Sequence, residues 1–244
     1  MKISVAMATY NGARFVEAQL HSILRQLEAG DEVIVVDDAS RDTTPALIEA
    51  LRDPRIRLYR NPLNRGVLAT FESALRHTRN EIVFLADQDD LWFADKRRTL
   101  CDALADHPRA TLALSDAVVI DGDGKEVASS FMALRGGFHG SLPATLVKNR
   151  YLGCTMAFRR ALLETALPFP ADVPMHDMWL GAINTRVGGY VYVDRPLMQY
   201  RRHAGNVSPA RPQSAARMLQ WRWRLLKNVL ARSRALPRRP VESL

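Results

Sequence analysis

The chain has 244 residues, 47% of them hydrophobic and 25% charged, which allows one large α/β domain or two small ones around a substantial core. No run of 18 apolar residues occurs, so no transmembrane helix is expected; Cys101 and Cys154 lack CxxC or histidine-ligand spacing, which argues against a disulfide framework or structural zinc and fits a reducing cytosol. The net charge of +8 is confined to the tail: from Arg211 onward there are nine basic residues and one acid, whereas residues 1–210 hold 25 of each sign.

Residues 2–8 form an apolar run that leads into Tyr10-Asn11-Gly12, which predicts a first strand rather than a signal peptide. Residues 13–27 read as a helix from the spacing of Phe15, Leu20, Ile23, Leu24 and Leu27. Residues 32–36 are a β-branched run ending in Asp37-Asp38, the pattern of a buried parallel strand. A helix follows over 43–51, capped by Asp42 or Thr43, then a short strand over 56–59, a helix over 67–77 and a buried strand over 82–86. This alternation predicts an α/β fold with a doubly wound, mostly parallel sheet flanked by helices. Ligands bind such sheets beyond the carboxyl ends of the strands, and the right-handed crossover rule brings those ends to one edge. A polar, acidic rim is therefore expected near residues 9, 38 and 87.

The second half is less regular. A strand is expected over 111–120, a hairpin turn over 121–124, strands over 154–158 and 190–193, and a helix over 178–187. Residues 206–214, with Pro209 and Pro212, are linker-like. The division read from the chain is a regular α/β half over 1–110, a less regular half over 111–206, and a basic tail over 207–244.

Asp87, Asp89 and Asp90 crowd one strand end. A divalent cation would offset their repulsion and keep positions open for phosphate oxygens; alternatively Asp90 caps a helix starting near residue 94 and Asp89 is solvated. Asp37-Asp38 suit either a ribose hydroxyl or base N–H, or an Asx turn with Ser40. Asp177 suits either a helix cap or a general base for a hydroxyl.

ATYNG (8–12), SIL (22–24) with Gln26, VVDDASRD (35–42), ADQDDLWFADK (86–96), YLGCTMAFRRALL (151–163), MHDMWL (175–180) and YRRHAGN (200–206) stand in one order and spacing. Together they resemble the family 2 glycosyltransferases of GT-A fold, and in particular bacterial rhamnosyltransferases. The resemblance implies an inverting transfer from a nucleotide sugar, a UDP-hexose or dTDP-rhamnose, to a hydroxyl of a surface glycan or lipid-linked saccharide. It implies a donor site of Ala8, Thr9, Tyr10, Asn11, Asp38, Arg65, Asp87 and Gln88, with Asp38 taking the pyrimidine N3–H. Asp89, Asp87 and His203 would hold Mn²⁺ or Mg²⁺, Asp177 would be the base, and His176 and Trp179 would meet the acceptor. Arg201 and Arg202 would neutralise diphosphate unless simply solvated, and His203 has a solvated loop position as its alternative. The chain departs from the family at Ala39, where many relatives have glycine, and in reading HDMW where many have an ED pair. A catalytically silent nucleotide-sugar or head-group binder is the alternative function.

In the tail, Met218, Leu219, Trp221, Leu225, Leu226, Val229 and Leu230 recur at helical spacing among Arg217, Arg222, Arg224 and Lys227. Such a basic amphipathic C-terminal helix suits an anionic membrane surface, or packs on the domain. The first reading puts the chain in the cytoplasm, peripheral on the inner membrane face. No nucleic-acid motif accompanies the charge, so nucleic acid is not expected as a partner.

Overall fold

In a computed structural model, the described residues are 1–203, 205 and 215–234. The chain begins with β1 (Ile3–Thr9), α1 (Val16–Leu24), β2 (Glu32–Asp37), α2 (Thr44–Ala50), β3 (Ile56–Arg60), α3 (Val67–His77) and β4 (Ile82–Ala86). It continues with β5 (Leu91–Trp92), α4 (Lys96–Asp106), β6 (Ala110–Ile120), β7 (Glu126–Ala128), α5 (Phe131–Arg135) and α6 (Leu142–Val147). Then come β8 (Met156–Arg159), α7 (Leu162–Ala166), α8 (His176–Val187), β9 (Gly189–Arg201) and α9 (Ala215–Arg234).

One sheet runs in the order β3-β2-β1-β4-β8-β6-β9-β5, with β7 paired to β6. The β3-β2-β1-β4 block is parallel. β8 runs antiparallel to both β4 and β6, whereas β9 runs parallel to β6, so the sheet is mixed in its second half. Side-chain alternation divides the core: Ile3, Val5 and Met7 of β1 pack with Leu20 of α1, Ile48 of α2 and Leu100 of α4. Ala6 faces the other side, with Phe71 of α3, Leu162 of α7, Trp179 of α8 and Leu225 of α9.

Three expectations shift. The first helix starts at Val16, because residues 12–15 form a turn closed by Phe15 N–H and Val16 N–H on the Gly12 carbonyl. A 3₁₀ turn over Gly153–Thr155 precedes β8. β9 is far longer than residues 190–193, since β6 supplies a partner along most of its length. The hairpin turn stands: Asp121 N–H reaches the Lys125 carbonyl, and the Asp121 carboxylate accepts from Asp123 and Lys125 N–H.

α9 packs on the domain. Leu225 and Val229 are fully buried against α8, and Arg232 donates to the Thr165, Leu167 and Pro168 carbonyls at 2.6–2.9 Å. Its opposite face leaves Leu219, Trp223 and Leu230 exposed, at 62%, 66% and 45%. Arg211, Arg238, Arg239 and the 206–214 linker lie outside the described residues. No described helix is long and apolar enough to cross a membrane.

Candidate active site

The carboxyl ends of β1, β2 and β4 open onto one cleft of about 340 Å³. Its wall includes Ala8, Thr9, Tyr10, Asp38, Asp87, Gln88 and Asp89 from the rim, and Leu152, Gly153, His176 and Asp177 from the far side. Two rim loops are locked together. Gln88 Oε1 accepts from Tyr10 N–H at 2.8 Å, and its Nε2 donates to the Tyr10 carbonyl at 3.1 Å. A Cβ on Gly12 would stand 2.2 Å from Gln88 Oε1, so a larger residue there would displace the Gln88 amide from Tyr10. Gln88 therefore spends its amide on Tyr10. Asn11, at φ 48°, takes the left-handed conformation that asparagine tolerates, donates to Ser40 Oγ and accepts from Arg41 N–H; its side chain braces the β2 loop and lies off the cleft wall. Ala39, at φ 61°, holds a left-handed conformation that glycine would adopt at less cost.

Asp37 follows its turn alternative, accepting from Thr9 Oγ1, Ser40 N–H and Ser40 Oγ. Asp38 lines the cleft, and its oxygens take Asn61 Nδ2, Arg65 N–H and Gly66 N–H at 2.7–2.9 Å. Arg65 thus contributes its backbone, while its side chain is exposed and off the wall.

The strand-end carboxylates separate by depth. Asp90 is buried; its Oδ1 accepts from Arg201 N–H at 2.9 Å, so it does not cap a helix, and α4 begins only at Lys96. Burial, then the neighbouring Asp89 charge, push its carboxyl up to about 7. Burial and then the Asp90 and Asp89 charges raise Asp87 well above the usual range. Below them lies Lys96, fully buried, with its Nζ on the Cys154 carbonyl, 3.2 Å from Met198 Sδ and 4.3 Å from the Trp92 ring centroid. Burial lowers Lys96 to about 8, against the opposing pull of Cys154, Asp90 and Asp87. Among the described residues, potential ligand atoms of Asp87, Asp90 and the Cys154 thiol cluster within 4.8 Å. The Lys96 ammonium favours the ionised forms of Asp87 and Asp90. Asp87 and Asp89 both line the cleft, and Asp89 meets His203, Oδ2 to Nε2, at 2.7 Å.

Arg201 is corrected: it is buried, with Nε on the Asp89 carbonyl and a terminal nitrogen on the Asp121 carbonyl, so it fastens the loop instead of meeting a diphosphate. Trp179 is corrected too. It is fully buried, its Nε1 donates to the Ala166 carbonyl, and it stands in the α7–α8–α9 core, off the cleft wall.

On the far wall, Asp177 sits in the first turn of α8, 8% exposed, accepting from Met178 N–H at 2.5 Å. Burial pushes its carboxyl up to about 6. His176 stacks on Phe71 at 3.9 Å between centroids, and neither ring nitrogen has a hydrogen-bond partner among the described residues. Burial lowers it to about 3, so the ring is neutral. Sequence reasoning missed Lys96, because lysine is normally exposed, and Phe71 and Leu152, whose apolar character gives no functional signal.

Residues 4–167 match the family model described as Glycosyl transferase family 2. The chain is similar to the Escherichia coli UDP-Glc:alpha-D-GlcNAc-diphosphoundecaprenol beta-1,3-glucosyltransferase WfgD, 32% identical over 94 residues, covering 38% of this chain and 37% of that one. It is also similar to the dTDP-rhamnosyl transferase RfbG of Shigella flexneri, 27% identical over 222 residues, covering 82% and 72%. Among solved structures, a mannosyltransferase from Pyrobaculum calidifontis in complex with GDP-Man and Mn²⁺ superposes with a TM-score of 0.64 at 26% identity, covering 98% of this chain and 66% of that one. The chain spans between 36% and 60% of the length of several curated relatives.

Proposed function

The chain belongs to glycosyl transferase family 2, and from that premise we propose that it moves a sugar from a UDP-hexose or dTDP-rhamnose to a hydroxyl of a bacterial surface glycan or lipid-linked saccharide. One observation carries this reading: Asp177, buried with a raised proton affinity, shares a single cleft with Asp38, Asp87 and Asp89. Above about pH 6 its carboxylate takes the acceptor hydroxyl's proton. The acceptor oxygen then bonds to the anomeric carbon as the carbon–diphosphate bond breaks on the opposite face, which inverts the centre. Tyr10 and Asp38 hold the base, and Asp87 the ribose.

Asp87, Asp89 and His203 are the residues that would hold Mn²⁺ or Mg²⁺. The 2.7 Å contact between Asp89 Oδ2 and His203 Nε2 already brings two of these donor groups together. Such an ion neutralises the charge on a departing diphosphate. A melting screen of UDP, dTDP and GDP, each with and without Mn²⁺, tests the scheme. A pyrimidine diphosphate at a hundred times its Kd should stabilise by about 2.7 kcal/mol, only with metal. Asp89→Ala should lose that metal-dependent part. A preference for GDP would overturn the Asp38 assignment.

The outward face of α9 presents Leu219, Trp223 and Leu230 at i, i+4 and i+11, beside Lys227 and Arg234. This supports a peripheral position on the inner face of the cytoplasmic membrane, compatible with the packing of Leu225 and Val229 on the domain. In vesicle flotation, the wild type should bind phosphatidylglycerol-containing vesicles. A Leu219→Ser/Trp223→Ser variant, losing about 1.5–3 kcal/mol per buried side chain, should bind at least tenfold more weakly; equal binding would exclude this face.

A further inference from the structure

The mechanism leaves one group of cations beside the cleft unused. Arg135, the last residue of α5, is half-buried, and its Nε is sealed from solvent with no hydrogen-bond partner among the described residues. Its guanidinium lies 5.4 Å from the Phe131 ring centroid; Phe131 meets Tyr200 edge-on at 5.6 Å, and Tyr200 lines the cleft. Two further cations meet the same residue at its backbone. Lys148 Nζ and Arg150 Nε both donate to the Arg135 carbonyl, at 3.0 and 3.3 Å. Among the described residues, none of the three stands within ion-pair distance of a carboxylate.

A helix C-terminus attracts cations, which explains why Lys148 and Arg150 reach a terminal carbonyl of α5. It does not explain Arg135, whose own charge adds to theirs and whose Nε is desolvated with no hydrogen bond among the described residues. An anion seated between them would relieve both costs. Two guanidiniums and an ammonium form a donor set suited to phosphate: the forks bond in pairs and the lysine adds a point charge. The place is also apt, since the Arg135 charge acts on Asp177, favouring its carboxylate.

We propose that Arg135, Lys148 and Arg150 bind a phosphate or diphosphate carried by the acceptor and so bring the acceptor hydroxyl to Asp177. The proposal rests on the glycosyl-transfer reading above and names the acceptor class for it, an anionic, phosphate-linked saccharide. The two phosphate sites differ in sign. The donor rim of Asp87 and Asp89 repels a diphosphate unless a divalent cation intervenes, whereas the Arg135 cluster attracts one without metal.

The test exploits that difference. Calorimetry in EDTA, with citronellyl diphosphate as the probe and neutral citronellol as its control, should show the wild type binding the diphosphate alone. An Arg135→Gln/Lys148→Gln/Arg150→Gln variant should bind it at least roughly tenfold more weakly. Arg135→Gln alone, which leaves both side chains on the α5 carbonyl, should already weaken it about threefold, so the result survives if the triple variant misfolds. Mn²⁺-dependent UDP or dTDP binding should be unchanged in every variant that folds. Equal diphosphate affinity in Arg135→Gln and wild type, no metal-free binding by wild type, or equal binding of citronellol would each overturn the proposal. The donor reading fails separately, by loss of Mn²⁺-dependent nucleotide binding in the wild type.

Discussion

Replacing Asp177 by asparagine is expected to lower transfer by about 10²–10⁴-fold while sparing Mn²⁺-dependent nucleotide binding. The amide keeps the shape and can still accept from Met178 N–H, but it takes no proton from a hydroxyl. In the wild type, kcat/KM should rise with pH and level off above about 6, where burial has placed the carboxyl, and that limb should vanish in the variant. Stability should move the other way. The folded protein holds the Asp177 proton more tightly than the unfolded chain, from the ordinary 3.8 to about 6, so this group's contribution is full below about pH 4 and is lost as pH rises through 6. About two pH units correspond to roughly 3 kcal/mol, an upper figure for what the neutral amide recovers. The variant should therefore melt above the wild type at pH 8, with the gap closing toward pH 4. Full turnover by the variant would remove Asp177 from the base role.

Lys96→Met should destabilise the fold by about 3–5 kcal/mol at pH 7, the usual cost of breaking a buried charge group by removing one partner. Methionine matches the lysine stem and fits beside Met198 and Trp92, so the loss would be electrostatic and not a packing defect. What is removed is the internal cation that faces Asp87 and Asp90 and donates to the Cys154 carbonyl. Urea denaturation should show a lowered midpoint. A change below about 1 kcal/mol would mean the acidic cluster is already neutral through shared protons, as the raised affinities of Asp87 and Asp90 allow.

The parallel half of the sheet was legible because β1, β2 and β4 are buried on both faces and read as continuous apolar runs with polar ends. That same logic located Asp38, Asp87 and Asp89 on one rim before any side chain was placed. β9 was not legible beyond 193, because Asp194, Arg195 and Pro196 interrupt its pattern and only pairing with β6 and β5 carries the strand to Arg201. Trp179 was misread because helix α8 is buried over most of its length, polar His176, Asp177 and Asn184 included, so its sequence does not distinguish the face on the cleft from the face on the core. Lys96 escaped notice because a charged residue reads as solvated unless something distant in sequence buries it, as Cys154 and Met198 do here. The short helices α5, α6 and α7 span five or six residues, too few to establish a period.

The two-point bond between Gln88 and the Tyr10 backbone has a thermodynamic consequence. It joins the turn after β1 to the loop after β4, so the rim edges proposed to hold the base and the diphosphate are fixed relative to each other before a nucleotide arrives. Binding then forfeits little conformational freedom of the protein on that side, and more of the contact energy remains as affinity. The entropy of ordering falls instead on the ligand itself.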